Sequence, residues 1–304
     1  MATHSHSDSV ELPTSTVCQA RLRIFQPTRR PRQIDTVIVT SWGRARIVGR
    51  LGQQHADVFE AICYTAREAI RTADGRVKLL VDPSLVRRVA RQPSGTTFLN
   101  IRDDLVLALI EIVEPAHLSC VGHLIDHIES AQRADGSYIT AENPLGGRRR
   151  PKGRMGGHAA ERHLWCVDVG KAALKLFSAD LLLHHNPAPI AALRHGISQA
   201  VARHYLSHRA GTCAAWRLDT WIRAVAGDIA AQDLWERRQE LMADAGHLAA
   251  MGVTLGVDQK PGGIDQKPGG IDQKPGGIDP KPGGIDQKPG MAGSLQDIQG
   301  LSGP

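Results

Sequence analysis

Aromatic side chains are scarce: Phe, Trp and Tyr make up 4% of 304 residues, so any core must be built chiefly from Leu, Ile, Val and Ala. Such cores suit helix-rich modules. Cysteine supplies no framework either, because Cys18, Cys63, Cys120, Cys166 and Cys213 are odd in number, widely spaced and never form a C-x-x-C pair. That excludes a disulfide scaffold and a zinc ribbon, and the thiols read as buried or inert in a reducing compartment. Nowhere do about 18 apolar residues follow one another, and the N-terminus, with His4, His6, Asp8 and Glu11, lacks the apolar run of a signal peptide. The expected location is the cytosol, with no membrane partner.

Catalytic signatures are missing as well. Gly170-Lys171 has no Gly five residues earlier and is followed by Ala, so it is not a nucleotide-binding loop. His123 with His127, and His204 with His208, share an i, i+4 spacing that suits a metal on a helix, but neither pair has the Glu of a metalloprotease, and surface or capping roles suffice. A strand-nicking enzyme needs two histidines flanking an apolar residue, plus a nucleophilic Tyr. His4-Ser5-His6 lacks the apolar residue, and of Tyr64, Tyr138 and Tyr205 the first and last fall in or near predicted helix cores. No enzyme activity, cofactor or metal is expected.

Charge is present but mildly unbalanced, with 37 Lys and Arg against 31 Asp and Glu. Its distribution says more than its sum. Basic residues gather at Arg29, Arg30 and Arg32, at Arg87, Arg88 and Arg91, at Arg148 through Arg154, and at Arg237 and Arg238. Solvated surface explains most such runs; beside DNA-binding elements they suit phosphate contacts.

Apolar spacing supplies the architecture. Ile197, Val201 and Tyr205 recur at i, i+4 and i+8, and Leu218, Trp221, Ile222 and Val225 at i, i+3, i+4 and i+7. Leu234, Leu241, Ala245 and Leu248 mark a third, longer helix, and a short β-turn-β element is expected between the first two. A looser version of this order runs from Thr36 to Glu129. It starts with a hairpin at Thr36–Val39 and Ala45–Val48, followed by a helix from about Gln53 with Val58, Ile62, Ala66 and Ala69 inward. Val77–Val81 reads as a strand, and Asp82-Pro83 opens a short helix with Arg87, Arg88 and Arg91 outward. A further helix from about Asn100 carries Ile101, Leu105, Ala108 and Ile112. Residues 117–128 fit strand or helix, with a strand favoured at Leu118–Val121. Leu164–Val169 and Ala172–Phe177 are β-prone, so the basic, Gly-rich loop 146–157 reads as an overlong wing or as a solvated insertion.

The expected fold is therefore α+β and helix-rich, with tandem winged-helix domains. Its parts are a flexible arm at 1–33, a first winged-helix domain at 34–180, a second at 181–256 and a disordered tail at 257–304. The tail repeats the seven-residue unit Asp258-Gln259-Lys260-Pro261-Gly262-Gly263-Ile264. One Pro and two Gly per unit forbid a heptad helix. Genetic slippage accounts for such repeats, and partner binding is the minority reading.

The stretch ISQAVARHYLSHRAGTCAAWRLDTW at Ile197–Trp221, with ERRQELMADAGHLAAMGVTLG at Glu236–Gly256, resembles the C-terminal winged helix of plasmid replication initiators, particularly the iteron-binding initiators of IncQ-type plasmids. Ser84–Arg91 and Asn100–Val113 resemble the first winged helix of that family in order and spacing. Met251-Gly252-Val253 departs from the usual aromatic after Leu-Gly. The resemblance implies a protein that binds double-stranded DNA at direct repeats of a plasmid origin, helps open the duplex and recruits the replicative helicase, with a homodimer interface in the first domain.

In such a protein Gln232, Arg237, Arg238 and Gln239 are expected to reach base edges from the second unit, and Asn100 and Arg102 from the first. Arg87, Arg88 and Arg91 are expected on phosphates, with Arg148, Arg149, Arg150, Lys152 and Arg154 of the loop along the backbone. A transcriptional repressor or copy-control regulator with the same fold is the alternative, and a protein-binding module a third.

Overall fold

The computed structural model describes residues 8–9, 11–113, 119–141, 163–178, 181–208 and 216–256. The chain opens with β1 (Asp8–Ser9), β2 (Ser15–Thr16) and helix α1 (Val17–Arg21), whose first turn is capped by Thr16 Oγ1 accepting the Gln19 amide at 3.0 Å. This corrects the flexible-arm reading for residues 11–33. Leu22, Ile24 and Phe25 are buried in the first core, and the Gln26 amide bonds to the Leu51 carbonyl. Fully burying such a side chain contributes about 1.5–3 kcal/mol, so three together offset much of the entropy of ordering a short segment.

A hairpin follows, β3 (Ile34–Thr40) and β4 (Gly43–Gly49), and then α2 (Gln53–Thr65), β5 (Glu68–Arg71), β6 (Val77–Val81), α3 (Pro83–Val89) and α4 (Gly95–Leu107). Helix α2 stops at Thr65 instead of continuing through Ala69, because the Arg67 amide bonds to Leu80 O and Ala69 pairs with Leu79 in the sheet. Tyr64, expected near the core, is 48% exposed at the end of that helix. Asp82 caps α3 by accepting the Ser84 amide at 2.9 Å, with Pro83 at the first helical position.

Helix α4 begins five residues before Asn100, where Ser94 Oγ accepts the Thr97 amide at 3.3 Å. It ends at Leu107. Ile112 lies in the next strand, β7 (Leu109–Val113), which pairs with β4 and buries Ile110 and Ile112 on one face. Alternating β-branched residues favour that pleated surface over a further helical turn.

The ambiguous segment after it contains two strands, β8 (Ser119–Gly122) and β9 (Ile125–Ser130), followed by β10 (Trp165–Val169) and α5 (Lys171–Phe177). The last is a helix where a β-prone run was expected. Ala, Leu and Lys are strong helix formers, and Gly170 lets the chain turn where any Cβ would collide with the His123 carbonyl. The chain continues through β11 (Leu182–Leu183), α6 (Ala188–Ala191), α7 (Gly196–Leu206), α8 (Leu218–Ala226), α9 (Ala231–Ala243) and α10 (Ala245–Ala250). The β-turn-β element expected between α7 and α8 falls mainly on 209–215, outside the described residues; Arg217 forms a bridge with Gly256.

Among the described residues all paired strands run antiparallel: a five-stranded sheet runs β1-β5-β6-β10-β9, a four-stranded sheet runs β3-β4-β7-β8, and β11 pairs with β2. One apolar core gathers residues from Leu22 to Leu176, and a second gathers residues from Ile190 to Val253. Helix α2 lies between them, packed against α3 and α4 on one side and α6 and α7 on the other. It is therefore buried almost all round, including Gln53, His55, Asp57 and Glu60. Buried polar groups need partners, and α7 supplies the main one in Arg203.

The second core centres on Trp221, fully buried, with Trp216 at 4.7 Å and the His204 ring edge-on at 6.3 Å. Burial, helped by Arg21, His208 and Arg23, pushes the His204 pKa down from 6.5 to about 3. Between those values the unfolded chain binds a proton that the folded chain refuses. Its contribution is therefore complete above about pH 6.5 and declines as pH falls, with a limiting slope of about 1.4 kcal/mol per pH unit. His55 and His208, both lowered chiefly by burial, act with the same sign. Urea titrations from pH 4 to 8 should show this fall, and it should be shallower in His204→Phe. An unchanged slope in the variant would remove His204 from the account.

Candidate nucleic-acid interface

Two stretches of chain repeat one helical order. Helices α3 and α4 both pack against α2, and helices α8 and α9 both pack against α7. In each set a shorter second helix, 7 residues in α3 and 9 in α8, leads through a turn into a 13-residue third helix. The second turn passes through Gly227, whose φ of +77° ends α8, and its amide bonds to Arg223 O.

The first turn is held by Arg87. Its Nε donates to Gln92 O at 3.0 Å and its Nη2 to Pro93 O at 3.1 Å, while the buried Gln92 side chain donates to Ala90 O. Arg91 adopts a left-handed φ of +53° there, and its side chain is exposed. Arg88 is also exposed. Among the described residues no ion pair holds Arg88 or Arg91, so α3 and its turn present uncompensated positive charge.

The residues expected to read bases divide into two groups. Asn100 is exposed, but it and Arg102 lie in the middle of α4, because the helix begins at Gly95. Arg102 turns back on the fold: its guanidinium chelates Asp103 at 2.6 and 2.8 Å and lies 5.7 Å from the Trp165 ring. On α9, Arg238 forms a bidentate pair with Asp219 of α8 at 2.5 Å, and Arg237 bonds to Glu240 at 2.7 Å. The Arg238 pair, about one-third exposed, holds Asp219 below the usual carboxylate range. Arg238 thus ties α9 to α8 and Arg237 pairs within α9, leaving Gln232 and Gln239 as exposed amides; Gln232 lies 3.5 Å from Glu236. Arg148, Arg149, Arg150, Lys152 and Arg154 lie outside the described residues.

Sequence reasoning passed over Trp235, 56% exposed on α9, and Leu107, 74% exposed at the end of α4. A signal for Trp235 was available. Leu234 and Leu241 define the buried stripe, and one residue further on the helix rotates by about 100°, which turns the indole outward.

The histidine pairs serve other ends. His123 Nδ1 meets Ala108 O at 2.9 Å, His127 lies on strand β9, and the His204 and His208 rings contact edge-on at 4.9 Å. Cys63 is buried, and burial pushes its thiol up to about 12, so it is not a nucleophile. Among the described residues no helix is long and apolar enough to cross a membrane. No family model, curated protein or solved structure matches the chain.

Proposed function

We propose that the chain binds duplex DNA through two winged-helix units and initiates replication at a plasmid origin, gripping direct repeats, opening the adjacent duplex and recruiting the replicative helicase, with a homodimer as a second assembly state. The observation that carries this reading is the repeated order α2-α3-α4 and α7-α8-α9, each ending in a 13-residue helix with one exposed face. A helix so mounted fits the major groove, where every base pair offers a distinct donor and acceptor pattern.

The strand order β6-β10-β9 supports a winged helix in the first unit. Strand β6 lies between the first and second helices, and β9 and β10 after the third, which is the position of a wing. The connection between those two strands contains the five cations from Arg148 to Arg154. In the second unit the Arg217–Gly256 bridge ties the chain before α8 to the chain after α10, as the root of a wing does.

Electrophoretic retardation of origin repeats tests the binding step. About six phosphate contacts give a slope of log affinity on log salt near −5. A salt-independent complex, or none, would contradict the reading. Supplying the gene in trans tests the biological role: an origin fragment should then replicate, whereas promoter repression without replication would assign a regulator instead.

A further inference from the structure

The free edge of the four-stranded sheet borders a cleft whose opposite wall is cationic. Strand β3 is that edge, with β4 as its one strand neighbour among the described residues. The two-residue turn Ser41-Trp42 makes Thr40 and Gly43 a hydrogen-bonded pair, and the antiparallel alternation then turns the N–H and C=O groups of Asp35, Val37 and Val39 away from β4. Val39 O shows this direction, because it accepts from Arg23 Nη2 at 3.4 Å. Among the described residues no backbone group of another element bonds to these outward groups.

Edge strands are commonly guarded by lysine, proline or a bulge. This one is seven residues long, has no lysine or proline, pairs with β4 in unbroken register, and exposes Val37 by 40% and Val39 by 69%. A cleft of about 790 Å³ runs beside it. Arg21, Arg23 and Arg223 line that cleft against one carboxylate among the described residues, Asp228, which pairs with Arg223 at 3.5 Å, while the Arg21 guanidinium also donates to Ser207. Arg23 has a strained φ of +52°, and its buried Nε has no hydrogen-bond partner. Arg21 spans the Trp42 ring at 5.2 Å.

We propose that this cleft binds an extended acidic peptide of another protein, added to the sheet as a strand beside β3. Its backbone would pair with the outward groups of Asp35, Val37 and Val39, displacing only the long Arg23 bond. Strand side chains alternate between faces, so acidic residues at every second position meet the arginine wall and apolar residues between them lie beside Val37 and Val39. A phosphate ligand would engage the arginines but leave the strand edge unpaired. An acidic strand satisfies both, and it does not depend on the DNA-binding reading.

Fluorescence anisotropy of the full chain with a labelled peptide of alternating Glu and Val tests this. Saturable binding that weakens with salt is expected. Val37→Pro removes an outward N–H while leaving the β3–β4 ladder intact, so it should fold with an unchanged melting curve and bind at least tenfold more weakly. A peptide N-methylated on every second amide, in both registers, keeps its charge and should lose binding to the same extent, which decides the matter even if Val37→Pro fails to fold. No saturable binding, or full binding of the N-methylated peptides, would overturn the proposal. So would displacement of the peptide by AMP or a short oligodeoxynucleotide that binds Val37→Pro undiminished, since the cleft would then be a phosphate site.

Discussion

Arg203→Ala should destabilise the fold by about 3–5 kcal/mol, the range for removing one partner of a buried ion pair and leaving the other uncompensated. The guanidinium donates through Nε and Nη2 to both oxygens of Glu60 at 2.9 Å, through Nη2 to Asp57 at 2.7 Å and through Nη1 to Gln53 at 2.8 Å. Both carboxylates are fully buried and the arginine is 6% exposed. Gln199 adds a bond to Asp57 at 3.0 Å, and His185 lies 3.9 Å from Glu60. Burial alone would raise the Glu60 pKa, but Arg203 and His185 outweigh it and hold the carboxyl below its usual range. For Asp57 burial dominates and its pKa is raised.

With the guanidinium gone, two acids share a dry site. Both folded pKa values must then exceed their unfolded ones, so the variant should lose stability as pH rises through the carboxylate range, opposite to the histidine-driven trend of the parent. Denaturant midpoints across pH measure both effects. The triple variant Arg203→Met, Asp57→Leu, Glu60→Leu should recover most of the loss, because a well-packed apolar replacement of a buried charge cluster is often neutral or stabilising. A loss under about 1 kcal/mol in Arg203→Ala would mean that water reaches the cluster. Because these contacts join α2 to α7, they fix the first three-helix set against the second.

That clamp was invisible in the sequence for a plain reason. Arg203 and Glu60 are 143 residues apart, and neither sits in a pattern that marks it as buried. Where local spacing decides, the sequence was legible: Leu218, Trp221, Ile222 and Val225 form the buried stripe of α8, and Asp82-Pro83 starts α3. It misled where two periods coincide. Ile101, Leu105, Ala108 and Ile112 fit a helical stripe, yet Ile110 and Ile112 also alternate as a strand, and pairing with β4 decides in favour of the strand. The surface arginines failed in another way. Composition marks Arg237 and Arg238 as cations, but only the packing of α8 against α9 brings Asp219 to Arg238.

If the chain binds DNA as proposed, that distinction governs the largest effects expected. Arg88→Ala with Arg91→Ala should weaken binding to every sequence alike and reduce the salt slope by about two, since each phosphate contact accounts for about 0.9. Gln239→Ala and Asn100→Ala should instead cost about 1–3 kcal/mol at cognate repeats, leaving the slope and nonspecific binding unchanged. Helix α9 has Asp233, Glu236 and Glu240 against Arg237 and Arg238, so in the proposed complex long-range attraction would come from α3, its turn and the cations between β9 and β10, with the amides of α9 left to discriminate bases. Arg238 separates scaffold from reader. If it only mounts α9 on α8, Asp219→Ala should impair DNA binding as much as Arg238→Ala. If Arg238 reaches a base, Asp219→Ala should free it and preserve or improve affinity. Titrations of all five variants at several salt concentrations distinguish these outcomes. A double Arg88 and Arg91 variant with the parent's slope would remove α3 from the interface.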